Sequence, residues 1–405
     1  MCATVMLDTA YAQDFLMNTD YSTFNPAARG FLESADSLIT QGKFDQALGK
    51  LREAAKNETN RERGYDIKIR DAVVNLYRGR VGYSRFLLNR INRNYFYAPA
   101  LIASARTYIY YPPYERQEGK KRLNQVLRKE PKNWMALTEM GYCEFFLGNY
   151  APAKKFFETA LTINRKNMRA FYGLADILFR KKKYMDAIHT LEDALRVEPE
   201  NANTMKKIGD IYMGSTIKRR TDSAVSWYDR SLEYANDRPK YFAAVMLAFF
   251  ARFTAGNAMP YFNKLKEVAP GSTYVLWGEG VLLELKGRVG AAAKKFEEAV
   301  ALDNRNWYAH FSLGNIYAGR GNEEYVRWAK TSNYKYHPHG STQKGIQAFK
   351  TIKNNAPTFP FIRVVNDWYT FLMERPAVSP FKEPAFKEKL QRMKAHGLAL
   401  RKGMY

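Results

Sequence analysis

A spacing of 34 residues, carried by small side chains, constrains this chain more than any other feature. Gly141, Ala175 and Gly209 stand 34 apart, and so do Gly280 and Gly314. All but Gly280, which follows Glu279, come directly after an apolar residue, namely Met140, Leu174, Ile208 and Leu313. A fixed period of this length marks units of two helices joined by a turn, and a small residue at one place in each unit lets the two helices approach closely. Farther along each unit an apolar triplet recurs at helical spacing: Ala153, Phe157 and Ala160, then Ala187, Leu191 and Ala194, then Ala292, Phe296 and Ala299. Such triplets share one helix face and can fill the gap left by the small residue. Turn signals fall at Gly148-Asn149, Gly287 and Gly321-Asn322, and Pro131, Pro199 and Pro270 end units. The chain reads as all-α.

Residue by residue, the units resemble the tetratricopeptide repeat (TPR) family, whose pattern is a large apolar residue, an apolar-small pair, a Tyr, then Ala, an aromatic, Ala and Pro. Met168 to Glu200 supplies Phe171, Leu174, Ala175, Tyr184, Ala187, Leu191, Ala194 and Pro199, and the unit from Asn201 supplies Met205, Ile208, Gly209 and Tyr212. An N-terminal unit, Ala28 to Arg61, offers Phe31, Ala35, Leu38, Gly42, Phe44, Ala47, Leu51 and Ala54. The resemblance implies a right-handed superhelical solenoid of TPR-type helical hairpins. The expected organisation is an N-terminal segment over 1–27, about eight hairpin units over 28–327, and a loop with a C-terminal helical cap and basic tail over 328–405.

Some units depart from the pattern. Extra residues around Ser215 to Thr221, with Lys218-Arg219-Arg220, should project from a hairpin tip, and Met246 replaces the small residue of the unit near Pro239, which should splay it. Between Glu62 and Lys132 the signature is degenerate. From about Trp328 the register fails, with a loop expected around His337-Pro338-His339-Gly340. Helices follow from Thr342 to Asn354 and Arg363 to Arg375, and an amphipathic segment from Glu383 to Leu400. Extra helices of this kind cover the apolar face of a last repeat.

Lys and Arg number 64 against 40 acidic residues, a formal net charge of +24, which favours partners that are anionic in at least one patch. The stretch Arg61 to Lys132 and the tail Phe381 to Tyr405 are notably basic. Cys2 and Cys143 are the only cysteines, so disulfide and zinc frameworks are excluded. The longest apolar run, Tyr241 to Ala251, is too short for a bilayer. At the N-terminus an apolar stretch from Cys2 to Leu7 precedes Ala10-Tyr11-Ala12, which has the form of a signal-peptidase site. Export to the periplasm is therefore the expected localisation, with a cytoplasmic one as the alternative, since no positive n-region precedes the stretch.

Nothing in the sequence points to catalysis, and the chain is expected not to be an enzyme. His189, His310, His337, His339 and His396 form no motif, and His310 occupies a large-apolar slot that suits a core histidine. The sequence holds no glycine-rich phosphate loop, no His-Glu-x-x-His and no Gly-x-Ser-x-Gly. No cofactor and no metal is expected.

Binding is the expected activity. The family resemblance implies that certain first-helix positions face a concave surface, and these hold Tyr142, Phe145, Arg169, Tyr172, Asp176 and Phe179, then Lys206 and Asp210, then Tyr274, Trp277, Tyr308, Phe311 and Asn315. Rigid rings there suit a peptide or helix segment. A groove that clamps a terminal carboxylate needs Lys and Asn in consecutive units, whereas Lys206 is followed by Asp210 and Asp176 holds the corresponding place one unit earlier. The expected function is a scaffold or adaptor with protein partners in a complex and an acidic surface as a further neighbour. The alternative is a polymer-binding module for envelope polysaccharide or, less favoured, RNA.

Overall fold

The computed structural model describes residues 20–40, 44–78, 80–93, 95–111, 114–215, 220–235, 241–246, 255–304, 306–331, 340–355 and 362–373. After a 3-10 turn at Tyr21–Thr23, the helices α1 to α4 span Pro26–Thr40, Phe44–Asn57, Arg61–Tyr77 and Val81–Asn92. Helices α5 to α9 span Ala98–Tyr110, Arg116–Lys129, Trp134–Phe146, Tyr150–Ile163 and Met168–Arg180. Then come α10 at Tyr184–Val197, α11 at Ala202–Gly214 and α12 at Arg220–Glu233, and residues 241–246 are helical too. Helices α13 to α18 span Ala255–Val268, Thr273–Leu285, Val289–Leu302, Trp307–Thr331, Gly340–Asn355 and Ile362–Met373. Among the described residues there is no strand. The chain divides into two compact units, 1–177 and 178–405.

In the first unit consecutive helices pair as α1 with α2, α3 with α4, α5 with α6 and α7 with α8, and each hairpin packs on the next. Its core runs on as a ladder of side chains. Leu32, Ile39, Leu51 and Ile69 lie in one cluster, Leu101, Ile109, Leu123 and Met140 in the next, and Phe157, Ala160 and Ile177 in the last. In the second unit α11 pairs with α12, α14 with α15 and α16 with α17, while α18 packs on α17.

Glycine-aromatic wedges explain the close pairing. A Cβ added to Gly141 would lie 2.6 Å from the Phe157 ring, and one added to Gly173 would lie 2.2 Å from the same ring. Phe157 thus sits between a glycine of its own hairpin and one of the following helix. In the second unit the equivalent distances are 2.4 Å from Gly209 to Tyr228, 2.4 Å from Gly280 to Phe296 and 2.4 Å from Gly314 to Phe349. Each ring is fully buried, which contributes about 2 to 3 kcal/mol per side chain. Gly148 and Gly287 end α7 and α14 with φ of 87° and 73°, a left-handed conformation that glycine adopts without a Cβ clash. Lys182 takes the same conformation at the next turn, with φ of 61°.

One expectation about the turns meets a different structure. Gly321-Asn322 is not a turn: α16 continues through it to Thr331. A Gly-Asn pair permits a reversal without requiring one, and the partner helix begins only at Gly340. That partner, α17, takes the second-helix place of the hairpin, because Phe349 fills the Gly314 notch. Met246 is buried, with its methyl 3.1 Å from a Cβ on Gly278. The splay expected of its hairpin, the Lys218-Arg219 part of the basic loop, the His337-His339 loop, the Ala10-Tyr11-Ala12 site and the tail beyond 373 lie outside the described residues. Among the described residues no helix is long and apolar enough to cross a membrane.

Candidate functional site

The first helices of the hairpins are tied together by hydrogen bonds between residues about one repeat apart. Asn133, Asn167, Asn201 and Asn306 each accept a backbone N–H three residues on, capping the helix that follows. Two of them also reach back to the preceding first helix. Asn167 Nδ2 donates to Thr138 Oγ1 at 2.6 Å, and Asn306 Nδ2 donates to Thr273 Oγ1 at 3.1 Å. One side chain therefore starts its own helix and fixes the distance to the previous one.

In the first unit these helices converge on Glu139, which is fully buried. It accepts from Arg106 Nη2 at 2.7 Å, from Arg169 Nη2 at 3.0 Å and from the Tyr110 hydroxyl at 2.7 Å. Burial pushes the Glu139 carboxyl up, and the guanidiniums of Arg106 and Arg169 more than offset it, so its pKa lies below the ordinary glutamate value. Arg169 also lies over the Tyr142 ring at 4.9 Å, while the Tyr142 hydroxyl donates to the Arg169 carbonyl at 2.9 Å. An earlier pair, Asp36 and Arg70 at 2.9 Å, shifts the other way. Burial dominates there, and with a single guanidinium the Asp36 pKa is raised.

In the second unit Lys206 binds Asp210 within one turn at 2.7 Å, and the Tyr228 hydroxyl donates to the same carboxylate at 2.9 Å. Burial works against the Lys206 ammonium, but Asp210 overrides it and the pKa is raised. Burial, reinforced by Asp210, holds Tyr228 and Tyr308 well above the ordinary tyrosine value. The ring of Tyr308 lies 5.6 Å from Tyr274 and 5.2 Å from Trp277, whose Nε1 donates to Ser312 Oγ at 3.2 Å.

The positions expected to face a groove thus fall into two classes. Tyr142, Phe145, Phe179, Trp277, Tyr308 and Phe311 are buried, as is the Asp176 carboxylate. Phe179 packs on Tyr184 at 5.2 Å. Arg169, Tyr172, Lys206, Asp210, Tyr274 and Asn315 are half-buried. The structure brings Tyr142 and Arg169 together in the first unit, and Lys206, Asp210, Tyr274, Trp277 and Tyr308 together in the second. Most of the rings brace neighbouring hairpins, because a first helix is flanked by another on each side and a large side chain there meets protein before it meets solvent. His310 is half-buried, with Nε2 donating to the Asn304 carbonyl at 2.9 Å.

Sequence reasoning missed Glu139, Arg106 and Tyr110, whose pairing joins residues 29 and 33 apart. It also missed the capping asparagines, although Asn133, Asn167 and Asn201 repeat the 34-residue spacing visibly. Among the described residues no group of His, Cys, Asp and Glu could hold a metal ion.

Stacked two-helix hairpins with glycine notches, aromatic wedges and side-chain ties one repeat apart define a helical-repeat protein. Tetratricopeptide repeat profiles match residues 147–207 and 261–324, so the chain carries tetratricopeptide repeats. Repeats of this kind, and the relatives that carry them, support a protein-interaction scaffold in general terms. Among curated proteins it is similar to the Drosophila melanogaster protein O-mannosyl-transferase Tmtc3, with 22% identity over 160 residues, covering 40% of this chain and 17% of the relative. A BBSome complex member of the same organism, a BBS4 homologue, is 25% identical over 169 residues, covering 41% of this chain and 33% of the relative. The aligned region thus spans a third or less of these curated relatives. Among solved structures, a thermophilic TPR protein of Thermus thermophilus aligns with a TM-score of 0.41 at 16% identity, covering 46% of this chain and 99% of that one. A tetratricopeptide repeat protein of Parabacteroides merdae aligns with a TM-score of 0.35 at 16% identity, covering 68% and 93%.

Proposed function

We propose that the chain is a non-catalytic scaffold whose units each hold an extended or helical segment of a partner protein against their first helices. The observation that carries this reading is the half-buried set Arg169 and Tyr172 in the first unit and Lys206, Asp210 and Tyr274 in the second. These are large, restrained side chains with polar tips, each held by partners within the fold, so that ordering them on binding costs little further entropy. Charges of both signs among them suit a mixed polar and apolar segment better than a uniformly anionic one. Burial of Trp277 and Tyr308, at 1% and 5% exposure, leaves those two rings unsuited to stacking on sugars or bases.

The test uses a photo-crosslinking amino acid at position 172 or 274 of the full chain in its native cell. Capture of the same protein partner from both positions, lost in the Tyr172→Ala, Tyr274→Ala double variant, is the expected outcome. Recovery of no protein partner, or of one indifferent to both substitutions, overturns the reading.

A further inference from the structure

The second helix of the second hairpin, α4, presents a surface that neither the fold nor the groove uses. Ser84, Leu88 and Ile91 bury one side of it, and the opposite side exposes Arg80, Tyr83, Phe86, Arg90 and Arg93 at intervals of three or four residues. Tyr83 is 49% exposed and Phe86 52%, which is unusual for two adjacent large rings. Their rings stack on each other at 6.2 Å with 24° between planes, and Arg90 lies over Phe86 at 5.7 Å. The result is an apolar ridge with an arginine before it and two after it.

The electrostatics around this ridge are one-sided. No Asp or Glu occurs from 72 to 114, a stretch that contains all of α4. The acids that flank the stretch, or sit on helices packed against α4, are already engaged. Asp66 pairs with Arg63 and accepts from Tyr97, Asp71 accepts from Asn75, and Glu115 pairs with Arg85. None of Arg80, Arg90 and Arg93 forms an ion pair among the described residues. From Arg80 to Arg93 the helix runs about 20 Å, the length of a short recognition segment.

We infer that the outer face of α4 is a docking site for an acidic amphipathic segment of a partner protein, whose apolar residues cover Tyr83 and Phe86 while its carboxylates meet Arg80, Arg90 and Arg93. Charge complementarity selects an acidic occupant, and the ring pair selects one that also carries apolar side chains. A protein segment fits better than single-stranded nucleic acid, because two rings turned toward each other with a guanidinium over one of them form a ridge rather than an open platform for bases. This surface is separate from the first-helix positions proposed above, and either assignment stands without the other.

The experiment measures binding of the full chain to three probes: a synthetic Glu/Leu amphipathic peptide of about 18 residues, an oligouridine of single-stranded RNA, and phosphatidylserine vesicles. Arg90→Glu with Arg93→Glu, and separately Tyr83→Ser with Phe86→Ser, should each weaken peptide binding by about tenfold or more. Lys121→Glu with Lys154→Glu, the same charge change at exposed sites elsewhere, should weaken it by no more than about threefold. A Lys/Leu peptide should bind the Arg90→Glu, Arg93→Glu variant more tightly than the native chain. Circular dichroism confirms that these exposed changes leave the helices intact. Absence of peptide binding, equal losses in the control variant, indifference to the ring substitutions, or stripe-dependent binding of RNA or vesicles in preference to peptide would each overturn the assignment.

Discussion

Arg169 donates from Nη2 to Glu139 Oε1 at 3.0 Å, joining helices α7 and α9 across 30 residues. With Arg106 of α5 bonded to the same carboxylate, one buried acid ties α5, α7 and α9 together.

Removing that acid leaves two guanidiniums facing each other out of water. Glu139→Ala is expected to destabilise the first unit by about 3 to 5 kcal/mol, the cost of breaking a buried pair from one side. Urea unfolding followed by circular dichroism measures it, and a loss under about 1 kcal/mol would contradict the tie.

The same group sets a pH dependence. A carboxyl whose pKa is depressed on folding contributes stability that is present above its unfolded value, about 4.3, and is lost as pH falls through the lower folded value. Acid unfolding of the native chain should therefore steepen below about pH 4.3, and Glu139→Gln should remove that component. Asp36, raised by burial, acts with the opposite sign: its contribution is present below the unfolded aspartate value and is lost as pH rises through the folded one. Thermal melts across the acid range separate the two.

Glycine notches predict sharply different outcomes for one substitution. Gly280→Ala places a Cβ 2.4 Å from the Phe296 ring and should cost about 1 to 3 kcal/mol by overpacking, with partial recovery on adding Phe296→Leu. Gly49→Ala, in α2 with nothing within 4 Å of the new atom, should instead stabilise by about 0.4 to 1 kcal/mol. Melting temperatures of the variants check both signs.

Caps with two duties should matter more than caps with one. Asn60→Ala removes only the bonds to Glu62 and Arg63 backbone N–H groups, a cost of about 1 kcal/mol. Asn306→Ala removes a cap and also takes the donor from buried Thr273, so about 2 kcal/mol or more is expected. Denaturant midpoints compare them.

Cys143 is buried, and its Sγ lies 3.2 Å from the Arg116 carbonyl. Burial first, then the Glu144 carboxylate, push the thiol up to about 12. It should resist iodoacetamide in the native chain and react once the chain is unfolded, as read by mass spectrometry of its peptide. Labelling of the native protein at this residue would contradict its placement.

The hairpins were legible because their packing repeats: Gly141 and Phe157, or Gly280 and Phe296, recur at a spacing that any reader of the chain can measure. The turns at Gly148 and Gly287 were equally plain, since each needs a backbone conformation that favours one residue. Gly321-Asn322 misled because its composition allows a turn that the next helix, starting at Gly340, does not call for. The rings expected to face a groove lie on helices as the spacing implies, yet whether Trp277 or Tyr308 meets solvent depends on what the adjacent helices place beside it.

By itself, then, the sequence determined the element type, the repeat length and the pairing of most helices, because local periodicity and small-to-large complementarity act within about 34 residues. Only the tertiary structure decided which of the expected binding residues are core, that Glu139 gathers Arg106 and Arg169, and that Tyr83 and Phe86 stay exposed. Burial and electrostatic pairing depend on distances between helices that no single helix encodes.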